Sequence, residues 1–124
     1  MLNELLNGLH VLIVSDHPDL ANLFGAIVTA CGAKLTQAGT VPQALEALRA
    51  RPSVVLIDIV FEDYKWAVPV EASRLRVPVV ALTHRCADPY RLTGPASALA
   101  ARTLHSTDIE EVCKTLHAAT TEGP

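Results

Sequence analysis

Three uninterrupted apolar runs dominate the chain: Val11-Leu12-Ile13-Val14, Val54-Val55-Leu56-Ile57 and Val79-Val80-Ala81-Leu82. Each stops at a polar residue, namely Ser15, Asp58 and Thr83. A strand wetted on one face alternates apolar and polar residues. A run without alternation suits a strand covered on both faces, as in parallel sheets wrapped by helices. The chain must therefore carry helices between these strands, and enough of them to cover two faces.

Such helices are legible. Pro18 suits a first helical turn, and Leu20, Leu23, Phe24, Ile27 and Cys31 follow at helical spacing until Gly32 ends the pattern. Thr40-Val41-Pro42-Gln43 has the capping-box spacing, and its helix continues through Ala44, Leu45 and Leu48. Residues 66–75 read as a weaker helix interrupted by Pro69. A second capping box, Thr107-Asp108-Ile109-Glu110, opens a last helix with Ile109, Val112, Cys113 and Leu116 on one face.

With strands expected at 10–14, 33–38, 53–57, 77–82 and 97–101, the alternation implies right-handed βαβ units. The expected fold is α/β, a doubly wound five-stranded parallel sheet with shortened third and fourth crossover helices. Residues 1–9 read as a leader in which Leu2, Leu5, Leu6 and Leu9 have helical spacing. Residues 10–119 form the domain, and 120–124 a disordered tail. At 124 residues, one core is all the chain can bury.

Composition removes several functional classes. A net charge of −3, with Lys and Arg scattered, gives nothing to track a phosphate backbone, so no nucleic-acid partner is expected. The apolar runs are far shorter than the roughly 20 residues of a membrane-crossing helix, and residues 1–8 lack the basic start of a secretory signal. Cys31, Cys86 and Cys113 are odd in number and without C-x-x-C spacing. Two of them fall on helix faces, where free Cys behaves as a small hydrophobe, and a reducing cytoplasm is the expected compartment. The five histidines show no ligand spacing and read as surface or capping residues.

In an open parallel sheet the ligand site lies beyond the carboxyl ends of the strands. The residues expected there are Ser15 and Asp16, Asp58, Thr83 and Arg102. Two carboxylates suit a hard divalent cation such as Mg²⁺, a carboxylate can act as nucleophile, and Thr83 and Arg102 can pair with phosphoryl oxygens.

These residues carry a resemblance. Val11-Leu12-Ile13-Val14-Ser15-Asp16-His17-Pro18-Asp19-Leu20 resembles the first strand and acidic pair of the bacterial two-component response-regulator receiver domain. Val54-Val55-Leu56-Ile57-Asp58 resembles its phospho-acceptor strand, and Val79-Val80-Ala81-Leu82-Thr83 its hydroxyl-ending strand. The resemblance covers roughly residues 10–118 and implies a flavodoxin-like strand order 2-1-3-4-5. It implies Asp58 as phospho-acceptor, with Thr83 and Arg102 assisting, and weakly bound Mg²⁺ at Asp16, Asp58 and the Val60 carbonyl.

It departs from the family in several places. Ser15 replaces one acid, Arg102 stands in the lysine position, and Thr103 follows where proline is usual. The chain is thus expected to be an atypical receiver that takes a phosphoryl group from a histidine kinase or phosphotransfer protein. With no output domain expected, it would signal through a downstream protein partner, with a possible homodimer. The alternative is a phosphorylation-independent pseudo-receiver acting as an interaction module. A phosphatase or nucleotide-binding enzyme is disfavoured. The turn after the first strand lacks glycine, and Val60 stands where a D-x-D enzyme places its second acid.

Overall fold

The computed structural model describes residues 4–58, 67–82, 102–104 and 108–122, apart from the side chains of Arg102, Thr103 and Glu122. The strands are β1 (His10–Val14), β2 (Lys34–Ala38), β3 (Val54–Asp58), β4 (Val79–Leu82) and β5 (Arg102–Leu104). The described helices are α1 (Pro18–Ala30), α2 (Val41–Leu48), α3 (Ala67–Arg74) and α4 (Ile109–Glu122). All strand pairs are parallel, in the order β2-β1-β3-β4-β5. This is the expected doubly wound sheet, and α3 is short at 8 residues. The fourth crossover, residues 84–95, lies outside the described residues.

The apolar runs do what their lack of alternation requires. Val11, Ile13, Val54, Leu56, Val80 and Leu82 face one core, where Phe24 and Val28 of α1 meet Val112 and Leu116 of α4. Leu12, Val14, Val55, Ile57 and Val79 face the other, under Ala44 and Leu48 of α2 and Val68 and Ala72 of α3. Successive side chains point to opposite faces, so each strand feeds both cores. No helix among the described residues is long and apolar enough to cross a membrane.

Helix ends follow local chemistry. Thr40 Oγ1 accepts from the Gln43 N–H at 3.2 Å, while Gln43 Oε1 accepts from the Gly39 N–H rather than from that of Thr40. At the end of α1, Gly32 takes φ 98°, and the N–H groups of Gly32 and Ala33 close onto Thr29 and Val28. Pro69 does not interrupt α3: it sits in the first turn, where no intrahelical acceptor is lost.

Four expectations need correction. The fifth strand paired to β4 is Arg102–Leu104, not 97–101, a run outside the described residues. The cap of α4 is Asp108, whose Oδ2 accepts from the Glu111 N–H at 3.1 Å, one residue after the expected Thr107. The last helix continues to Glu122, past the expected boundary at 119, with Thr120 and Thr121 hydroxyls donating to the carbonyls of His117 and Ala118. Finally, Cys31 and Cys113 are not free thiols. They form a disulfide between the end of α1 and α4, with both residues fully buried.

The leader is also part of the fold. Leu6 is fully buried in the α1/α4 core, and its N–H donates to the Cys31 carbonyl at 2.9 Å. A residue so enclosed has no surface left for a second molecule.

Candidate functional site

β1 and β3 run side by side with Val14 opposite Ile57, so Ser15 comes level with Asp58 as the strands end. The sheet reverses its winding here, since β2 lies on the other side of β1. Crevices for ligands form at such points. Among the described residues, Ser15 and Asp58 are the buried polar or charged ones, at 5% and 1% exposure.

Asp58 shares the lining of a small crevice with Leu20 and Phe24 of α1, Leu56 of its own strand and Leu82 of β4. Desolvating a carboxylate in apolar surroundings is costly unless polar partners compensate. Ser15 Oγ is one partner, donating to Asp58 Oδ2 at 3.2 Å while accepting from the His17 N–H at 3.1 Å. The ring of His17 is another: its Nδ1 is 2.8 Å from Asp16 Oδ1 and 3.6 Å from Asp58 Oδ2. Asp16 and His17 are both exposed, with side-chain exposures of 36% and 58%. The site thus runs from a buried acid to an open rim.

The expected residues fare differently. Asp16 and Asp58 are brought together as the strand ends imply, and one ligand atom from each, with a His17 nitrogen, lies within 4.8 Å of the others. A buried carboxylate beside one at the open rim fits a hard divalent cation such as Mg²⁺. Thr83 follows Leu82, the residue opposite Asp58 in β4, but lies outside the described residues, as does Val60.

Arg102 requires a correction. It opens β5 opposite Val80, whereas Leu104 is level with Leu82. Its backbone is therefore two residues below the carboxyl edge, and the residue following the strand is His105. The misplacement comes from assigning the strand to the small apolar run before it.

Two contributors escaped the sequence reading. Ser15 figured as a strand-end residue and a missing acid, and its side-chain hydrogen bond to Asp58 went unread. His17 figured as a surface or capping residue, yet its side chain makes no cap bond at the start of α1 and stands beside both acids. Its position next to Asp16, at the first turn before Pro18, was the available signal.

No protein-family model matches the sequence, and no curated protein is similar to it. Solved structures do match. NtrX from Brucella abortus, in complex with ATP, superposes with a TM-score of 0.81 at 19% identity, over 92% of this chain and 27% of that one. The chain therefore spans about a quarter of that NtrX. The receiver domain of NtrX from Brucella abortus gives 0.78 at 19% identity, over 90% and 98% of the two chains. A CheY-like response-regulator receiver domain from Methylobacillus flagellatus gives 0.75 at 22% identity, over 90% and 98%. Together with the strand order and the acid-lined crevice between β1 and β3, these likenesses give the chain the fold of the CheY-like response-regulator receiver domain.

Proposed function

We propose that this chain is a signal-transduction receiver that accepts a phosphoryl group on Asp58 from a histidine kinase or phosphotransfer protein and signals through a protein partner. One observation carries the reading: Asp58 is a buried carboxylate at the carboxyl end of a central parallel strand, beside a second acid at the sheet's switch point. A protein retains such a group at a cost in stability, and chemistry at the rim is the simplest return.

In the proposed step an Asp58 carboxylate oxygen attacks phosphorus in line with the phosphohistidine nitrogen of the donor. The P–O bond forms as the P–N bond breaks, and the imidazole leaves with its electron pair and takes a proton. Mg²⁺, held by Asp16, Asp58 and the Val60 carbonyl, would offset the charge of the phosphoryl group. Thr83 is the proposed donor to a phosphoryl oxygen. Ser15 fixes the resting carboxylate, and Arg102, whose backbone opens β5, is the proposed second partner of the phosphoryl oxygens. We assign no enzymatic activity beyond the phosphorylation and dephosphorylation of Asp58 itself.

The Ser15 substitution favours a second reading, a pseudo-receiver that binds its partner, or a second copy of itself, without phosphate. A cytoplasmic setting fits either reading. The Cys31–Cys113 bond argues the other way, since disulfides form in oxidising compartments. Its complete burial, however, shields it from soluble thiols while the chain is folded.

The test is incubation with acetyl phosphate and Mg²⁺, followed by intact-mass measurement. Gain of one phosphoryl group by the wild type but not by Asp58→Asn supports the receiver. No gain in either leaves the interaction module. Sedimentation with and without phosphodonor then shows whether self-association depends on phosphate.

A further inference from the structure

The Asp58 crevice offers a nitrogen as well as oxygens. We propose that Asp16, His17 and Asp58 form a mixed site for a borderline divalent cation of the Zn²⁺ class, with His17 tilting the site away from Mg²⁺. The inference deepens the receiver reading, on which the choice of Asp58 as the centre rests.

Geometry is the first support. A four-coordinate ion with ligands at about 2.0–2.1 Å spaces its ligand atoms by about 3.3 Å. His17 Nδ1 is 2.8 Å from Asp16 Oδ1 and 3.6 Å from Asp58 Oδ2, which straddles that spacing. Ligand atoms from all three residues lie within 4.8 Å of one another. Small rotations of the two exposed side chains would complete the set around the fixed Asp58.

The chemistry of the donors is the second support. A hard cation gains affinity from each added carboxylate and little from an imidazole. Ser15 withdraws a carboxylate from this rim and His17 supplies a ring nitrogen, a donor suited to Zn²⁺, Ni²⁺ and Cu²⁺. Two carboxylates and a neutral ring also balance one dication. Binding through Nδ1 requires the tautomer with its hydrogen on Nε2, so the ion takes the place of the hydrogen between Nδ1 and Asp16.

His17 is held in place for this role. Pro18 begins α1 directly after it, and the His17 backbone N–H donates to Ser15 Oγ at 3.1 Å. The ring does not cap the helix. Its position is set by the same turn that brings Asp16 out of β1.

The test titrates wild type, His17→Ala, His17→Gln and Asp58→Asn with Co²⁺, read by its visible ligand-field absorption. Zn²⁺ is then measured by displacement of Co²⁺, and Mg²⁺ by calorimetry. The expected result is one Co²⁺ per wild-type chain, displaced by Zn²⁺. Both His17 variants should bind Zn²⁺ about tenfold more weakly, or worse, with Mg²⁺ affinity unchanged. Asp58→Asn should weaken both ions. Zn²⁺ affinity equal in wild type and His17→Ala overturns the proposal, and so does Zn²⁺ binding indifferent to Asp58→Asn, which places the ion elsewhere. Unchanged Zn²⁺ affinity with intact phosphorylation of His17→Ala sinks only the metal proposal. A Zn²⁺ preference lost with His17, in a wild type that acetyl phosphate leaves unmodified, sinks only the receiver reading.

Discussion

Ser15 Oγ donates to Asp58 Oδ2 across the ends of β1 and β3 at 3.2 Å, so a neutral hydroxyl steadies the carboxylate where the receiver resemblance implies an acid. The same oxygen accepts from the His17 N–H, which ties the rim of the site to the strand pair.

Replacing that hydroxyl with a charge should reverse the balance of the site. Ser15→Asp puts a second carboxylate beside a buried one, and like charges in such a place destabilise the apo protein. Added ligand charge should also tighten Mg²⁺ binding by about tenfold. The expected outcome is a lower melting temperature without Mg²⁺ that recovers with Mg²⁺. Ser15→Ala, which only removes the hydroxyl, should cost about 1 kcal/mol with no such recovery.

The disulfide should account for a large share of stability. It joins residues separated by 82 in sequence, and long-range bonds of this kind contribute about 2–5 kcal/mol. Urea denaturation of the oxidised protein, the reduced protein and Cys31→Ala/Cys113→Ala measures it. Equal midpoints for oxidised and reduced protein would show that the bond contributes nothing.

Leu6 predicts that the leader belongs to the cooperative unit. Its side chain is fully enclosed in the α1/α4 core, so Leu6→Ala should destabilise by about 2–5 kcal/mol. A loss below 1 kcal/mol in chemical denaturation would mean that the leader frays independently of the domain.

His10 gives a pH dependence. Burial, and then the charge of Lys34, lower its pKa from the ordinary 6.5, while Nε2 lies 2.7 Å from Thr36 Oγ1. The unfolded chain therefore binds the proton more tightly than the folded one. The contribution is fully present above pH 6.5 and is lost as pH falls from there through the lowered folded value. Stability measured against pH should show a shallower decline in His10→Gln than in the wild type over that window.

How much of this could be read from residues alone depends on how each residue is covered. β1, β3 and β4 are central, so both faces select apolar side chains and the runs stand out. β5 is at the sheet edge and holds Arg102 and Thr103, a composition that edge strands tolerate and central ones do not. The small apolar run before it drew the assignment, and Arg102 with it. Asp58 and Asp16 were legible because a charge ending a buried strand is expensive. The Cys31–Cys113 bond was not, because pairing depends on helices that meet across 82 residues of chain. His17 needed the turn geometry: one ring beside one acid has no periodic signature.

A topological consequence follows from where that bond falls. It ties Cys31 to Cys113, so the backbone between them is closed into a covalent loop holding β2, β3, β4 and β5, while β1 and all of α1 lie outside it. A protease cutting once anywhere between the two cysteines opens the loop but releases nothing. A cut after Asp58 would leave both acids and His17 on the amino-terminal piece, still fastened to the carboxyl-terminal half. Such a molecule would migrate as two bands under reducing electrophoresis and as one without reductant, and would keep Asp16, His17 and Asp58 together after the chain was nicked.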